Sequence, residues 1–531
     1  MLVGYVSNER YVALPETLLE FTAADGTVTE ARSTASGAVH ADLAPGEYRV
    51  VLYRPGFGQK TEQVTVSADE PHHFRLLTDG LLGYMSPRCV KAGEQSEFRV
   101  HAVEEYGLEL WRYGKQKEFV RRIGTFDEHG PRATMQITPD GDYTQTGVQW
   151  NKQGYNSAAL GQMLTAPERS GLYYLHARSK SGDFFTFPWV VAPASPQSSV
   201  AVLAADLNWN AYNSFGGRSN YIHADGFPPT PTVNSRQDLK RYTESEHRSY
   251  DTDTYPPLSL DRPDPFNHVE EGEQLEDPIA GRQGCHLAPA EWRFLGWLEQ
   301  QDIKYDLYSE SMFHFDRFSL DDYKVLIITT HPEYWSAHMY YTLKKWVFER
   351  GGRLMYLGGN GLNCEVELLD DHRVVYHNTR WSHSAMDENP PGTESRFDVR
   401  QESEANLLGV VFSFPGIMTA APYQVVDVDH WCYEGTGLKN GDIFGEASLH
   451  MRVPGGASGH ETDKMSPNSP PGTRLLARGM NADEGGAHMV HFDTDSGGSV
   501  FSVGSITWPA SILVDSSVSK ITENVLRRFA E

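Results

Sequence analysis

The stretch Asp322-Tyr-Lys-Val-Leu-Ile-Ile-Thr-Thr-His-Pro-Glu-Tyr-Trp-Ser336 constrains the fold more than any other part of the chain. Its apolar run from Val325 to Ile328 lacks polar alternation, so it reads as a strand buried on both faces, as in a parallel sheet covered by helices. The run stops at His331 and Glu333 and gives way to a helical pattern from Ala337 to Arg350. Polar side chains at such a strand end lie on the carboxyl edge of the sheet, where open α/β folds place their chemistry.

The same alternation extends on either side. Strand patterns over 199–205, 305–308 and 352–357, a helix over 290–300 and a closing strand and helix over 498–504 and 518–529 predict βαβ units. The expected fold is multidomain α/β plus β. It has a β-sandwich over 1–78, whose Leu43-Ala-Pro-Gly-Glu-Tyr-Arg-Val50 stretch resembles transthyretin-like accessory modules, an immunoglobulin-like β-sandwich over 79–195, and a doubly wound, flavodoxin/amidotransferase-like catalytic α/β domain over 196–531. The two sandwiches rest on short period-two segments separated by turns, such as Gln63-Val-Thr-Val66 and Gly171-Leu-Tyr-Tyr-Leu-His-Ala-Arg178. An insertion over 213–288, rich in Pro, Asp, Tyr and His, is too polar for core and is expected to build the site or a lid. Residues 404–530 contain an apolar run, Leu407 to Phe412, and a Gly/Pro/Ser-rich excursion over 453–472.

A formal net charge of -25 argues against nucleic acid and anionic membranes as partners, since both would repel the chain. Four scattered cysteines form no CxxC pair, so no zinc knuckle or disulfide framework is expected and a cytoplasmic setting fits. No apolar run approaches the length of a membrane span.

Three groups of residues could carry chemistry. His331 and Glu333, with Asn360 after the next strand, could hold a metal or do acid/base work, although Glu333 could equally cap the following helix. Tyr212, in the segment after the first strand of the sheet, would overhang the same edge, with Gly216 and Gly217 allowing a tight turn beside it. Tyr250 and Tyr255 lie inside the insertion, and two phenolates with a carboxylate form a hard oxygen set suited to ferric iron. Packing is the plain alternative for each tyrosine. Cys364 opens a different route, a cysteine-dependent amidase or glutaminase, but it does not sit at the sharp strand-to-helix turn of a nucleophile elbow. A non-catalytic carbohydrate-binding or scaffold protein is a third reading, prompted by the sandwiches and 11% aromatic residues.

The strings His331-Pro-Glu-Tyr-Trp-Ser336 and Gly351-Gly-Arg-Leu-Met-Tyr-Leu-Gly-Gly-Asn-Gly361, with Ala211-Tyr-Asn213, resemble the large (beta) subunit of N,N-dimethylformamidase and its relatives over residues 80–531. The resemblance implies an amidohydrolase with a mononuclear iron (Fe3+) on two tyrosines and a glutamate, acting on a small amide. Carried over, Glu333 and Tyr212 become ligands. Tyr250 becomes the second tyrosine, with Tyr255 and Tyr221 as rivals, and His331 and Asn360 stand beside the metal. A homo-oligomer is expected, and a small partner subunit is left open.

Overall fold

The computed structural model describes residues 1–78, 80–126, 162–221, 228–233, 256–378 and 392–531. Residues 2–76 form two facing sheets. In one, Leu2–Asn8 lies between Ala38–His40 and His72–Leu76. In the other, Leu18–Thr22 and Gly46–Arg54 are flanked by Val28–Arg32 and Phe57–Val66. Leu19 and Phe21 alternate with more exposed neighbours, and they close a core with Val6, Val50, Leu52 and Phe74 between the sheets.

The second sandwich is again a pair of sheets. Leu82–Ser86, Gln95–His101 and Met163–Thr165 face five strands, of which Tyr106–Tyr113, Gly171–Ser179 and Phe184–Ala192 are consecutive antiparallel neighbours. Phe98, Leu108, Leu110, Leu175 and Trp189 fill the space between them. The outer face of the five-stranded sheet carries Tyr113 and Tyr174, stacked at 4.2 Å, and Tyr113 meets Trp292 of helix Ala288–Gln300 at 4.9 Å. This aromatic seam joins the second sandwich to the third part of the chain.

That third part is built on a nine-stranded sheet. Five neighbouring strands are parallel: Asp306–Ser309, Val200–Ala204, Val325–Thr330, Arg353–Gly358 and Ser499–Ser502. In chain order they read 2-1-3-4-5. Four antiparallel strands, His488–Asp493, Arg474–Gly479, Tyr423–Val425 and Ile443–Phe444, extend the last edge. Val325–Thr330 is buried at every position, as its unbroken apolar run requires. Helix Ala337–Arg350 starts on Ser336, whose hydroxyl accepts from the Met339 amide, and stops at Gly351, left-handed at φ 76°. Ser336, not Glu333, is therefore the cap, which leaves Glu333 for other work.

Two segments differ from their expected form. The run from Leu407 to Phe412 is broken by Gly409 at φ 74° into helix Ala405–Leu408 and strand Val411–Ser413. The described parts of the insertion, expected to be too polar for core, are largely buried: Asn213, Ser219, Asn220, Arg262, Asp264 and Asn267 all lie inside. Arginines make that burial tolerable. Arg262 donates to the carbonyls of Ser259, Phe215, Arg218 and Asn210, and Arg218 donates to those of Pro256 and Pro257. Guanidinium groups thus supply donors to backbone oxygens of this buried polar segment. Among the described residues, no helix is long and apolar enough to cross a membrane.

Candidate active site

Strand Val200–Ala204 runs directly into the buried helix Asp206–Tyr212, which ends with Tyr212 over the carboxyl edge of the sheet. The loop after this helix turns at Gly216 and Gly217, both left-handed at φ 92° and 93°, and comes back to pair Asn220 N–H with the Ala211 carbonyl. This return places Tyr221 against Tyr212, ring centroids 4.5 Å apart and hydroxyls 2.8 Å apart.

On the neighbouring strand, Val325–Thr330 ends on Thr330, held at φ 65°. Such a conformation is rare for a β-branched residue and costs about 1–3 kcal/mol. It delivers His331 and Glu333 to the same point. Glu333 Oε2 lies 3.0 Å from the Tyr221 hydroxyl, 3.5 Å from that of Tyr212 and 3.0 Å from His331 Nε2. The Tyr334 hydroxyl bonds Tyr221 as well and accepts from Asn220 Nδ2 at 3.1 Å. His331 Nδ1–H donates to the Gly359 carbonyl at 3.1 Å, which fixes the ring and turns Nε2 toward the oxygens.

The other Glu333 oxygen receives Arg396, a buried guanidinium that also donates to Asn378 Oδ1 at 3.3 Å. Burial alone would raise the Glu333 pKa. The charge of Arg396 and the His331 contact outweigh it and hold the carboxyl well below the usual range. For His331, burial lowers the pKa, but the hydrogen bond to Glu333 and the charge of Glu461 carry it above its ordinary value. Burial, reinforced by the Glu333 charge, pushes the phenols of Tyr221 and Tyr334 well up. The site is thus a buried carboxylate ringed by phenol oxygens. Oxygens about 2.0–2.1 Å from one small cation at right angles would be about 2.9 Å apart, close to the spacings here. Phenols whose protons a cation can displace complete a hard donor set for such an ion.

Asn360, at φ 51°, reaches the site only indirectly. Its Nδ2 donates to Glu461 Oε2 at 2.9 Å, and that oxygen lies 3.7 Å from His331 Nε2; its own N–H donates to Asp463. Tyr250 and Tyr255 fall outside the described residues. Cys364 is buried where strand Cys364–Leu368 begins, and burial pushes its thiol up to about 12, far from a thiolate nucleophile at neutral pH. Sequence reasoning missed Arg396, Tyr334 and Glu461. Tyr334 adjoins Glu333 and could have been suspected. Glu461 lies in the Gly/Pro/Ser-rich excursion, which pairs Thr462–Lys464 with Val411–Ser413 in a separate two-stranded sheet and donates the Asp463 amide to the Gly504 carbonyl just beyond strand Ser499–Ser502. No local pattern marks Arg396.

The family described as N,N-dimethylformamidase beta subunit-like, C-terminal, matches residues 101–520. The chain belongs to that family. Within it, the N,N-dimethylformamidase beta subunit of Alcaligenes sp is 28% identical over 284 residues, covering 45% of this chain and 36% of the relative. The N,N-dimethylformamidase beta subunit of Paracoccus aminophilus is 27% identical over the same shares. The alignments thus span little more than a third of those relatives' own length. Among solved structures, a β-galactosidase from Rahnella sp. R3 superposes with a TM-score of 0.27 at 11% identity, over 46% of this chain and 27% of that one, too slight an overlap to carry an argument.

Proposed function

We propose that this chain hydrolyses the C–N bond of a small N-alkyl amide or formamide, with Tyr212, a second tyrosine and Glu333 holding one ferric iron. The convergence of the Tyr212, Tyr221 and Glu333 oxygens within 2.8–3.5 Å carries the reading. Tyr221 is the second phenol that the described residues supply, and Tyr250 is its rival from the sequence. When bound, the iron would act as a Lewis acid, polarising the amide carbonyl and acidifying the attacking water.

The protein's own groups handle the proton and the alignment. His331 Nε2 faces Glu333 and Glu461 together, so a proton taken from the nucleophile can be held at this nitrogen and passed toward the departing amine. Asn360 orients Glu461, whose carboxylate faces His331. Arg396 fixes the Glu333 carboxylate, and the buried rings of Tyr212 and Tyr334 exclude bulk water.

The 2-1-3-4-5 strand order supports reading residues 196–531 as the doubly wound, flavodoxin-like catalytic domain. Four buried free thiols fit a reducing, cytoplasmic setting, and the "beta subunit" in the relatives' names supports an oligomer or partner chain. Metal analysis and a visible spectrum of the purified protein, with amine release from a panel of formamides and N-alkyl amides, test the proposal. Stoichiometric iron, a phenolate-to-iron absorption band and turnover lost in Tyr212→Phe are expected. Active protein without iron, or full activity in Tyr212→Phe, would overturn it.

A further inference from the structure

We propose that the N-terminal β-sandwich is a clamp that sets the position of Tyr221, with Arg75 as its positioning residue. Arg75 lies on strand His72–Leu76 and is buried. Its Nη2 donates at 2.8 Å both to the Glu9 carbonyl of its own module and to the Gly217 carbonyl of the loop leading to Tyr221. Gly217 presents that carbonyl from a left-handed conformation, at φ 93°, that a side chain would strain.

A second anchor lies on the other side of Tyr221. The Tyr11 hydroxyl donates to the Pro228 carbonyl at 2.7 Å, the Thr232 amide donates to the Tyr11 carbonyl at 3.1 Å, and the Ala13 amide donates to the Thr232 carbonyl at 2.8 Å. Tyr11 is fully buried and held at φ 59°, a strained conformation that its surroundings must enforce. The sandwich therefore grips the chain at Gly217, before Tyr221, and at Pro228 to Thr232, after it. Arg218 and Arg262 brace the same loop from within the catalytic part, whereas Arg75 reaches it from a separate core. The described residues 213–221 form no helix or strand, so their register is fixed by such cross-links.

The effect on turnover rests on the amidase reading, but the clamp itself does not, so the test reads the backbone directly. Hydrogen exchange of the full-length protein, followed by mass spectrometry, compares Arg75→Met, Arg75→Lys and wild type. At least tenfold faster exchange over 214–221 is expected in Arg75→Met, with a smaller change in Arg75→Lys and none in strand Val325–Thr330. If wild type releases amine, Arg75→Met lowers kcat more than it changes KM, and lysine partly restores it. Should Arg75→Met fail to fold, Arg75→Lys carries the test with its smaller rise over 214–221, and Tyr11→Phe reads the second anchor as faster exchange over 228–233. Folded variants with unchanged exchange over 214–221 would overturn the clamp. An inactive wild type would overturn the amidase reading and leave the exchange result standing.

Discussion

Replacing Arg396 by methionine is the sharpest test of how the site is held. The guanidinium and the Glu333 carboxylate touch with side chains only 7% and 3% exposed, so neither charge has water to fall back on. Methionine of similar length fills the space but leaves a buried carboxylate whose remaining partners are His331 and the tyrosine hydroxyls. Removing one member of a buried ion pair costs about 3–5 kcal/mol, because the other stays uncompensated. Glu333→Gln should cost a similar amount by removing the carboxylate charge that faces the buried guanidinium. The double variant removes both charges of the pair, so its loss should fall short of the sum of the single losses by about 2 kcal/mol or more. Scanning calorimetry of the metal-free protein at pH 7 measures this in the transition that unfolds the nine-stranded sheet. At about 2–4 °C per kcal/mol for a domain of a few hundred residues, each single variant should lower that transition by roughly 6 °C or more. A fall of a degree or two, or strict additivity in the double variant, would refute the argument.

Iron content distinguishes the two candidate tyrosines: Tyr221→Phe should lower it and bleach the charge-transfer band, and the opposite result, with Tyr250→Phe alone losing iron, would assign the ligand to Tyr250. Glu291 accepts from Trp209 and the Ala205 amide, and burial pushes its carboxyl up from 4.5 to about 8. The folded state therefore keeps a proton that the unfolded chain loses between those values, and stability falls as pH rises through that window. Glu291→Gln keeps the acceptor oxygen and should melt above wild type at pH 8–9, the difference closing near pH 4.5; equal melting at both ends would exclude the shift. In Gly359→Ala the new Cβ would lie 2.5 Å from the Glu461 carbonyl oxygen and 2.7 Å from the Ile506 nitrogen. That overpacking should cost about 1–3 kcal/mol and slow turnover, and an unchanged thermal melt would show the contact to be soft.

The parallel strands were legible because a strand buried on both faces must be a continuous apolar run, and helix Ala337–Arg350 matched its expected bounds because Ser336 and Gly351 mark them chemically. The polar interior around Arg262 was not legible. Its burial depends on carbonyls of residues that only the fold brings near, and composition alone reads such a stretch as surface. At the site, His331, Glu333 and Tyr212 stood out by ending elements of the sheet's carboxyl edge. Arg396 and Glu461 did not, since they meet Glu333 and Asn360 from 63 and 101 residues away. Tyr221 entered only as a rival, because nothing local reveals that the loop beyond Gly217 folds back.

The guanidinium cross-links of that loop also bear on the order in which the molecule forms. Arg75 and Gly217 are 142 residues apart, and Arg262 reaches back 44 and 47 residues to Arg218 and Phe215. Contacts of such separation close large loops before they yield any stabilisation, and the sheet's own pairing of Arg353 with Ser499 spans as many residues, so loop length favours neither the sheet nor these cross-links as the first to form. A chain in which any of these loops is left open would lack a cross-link of the segment that sets Tyr221 beside Tyr212 and Glu333.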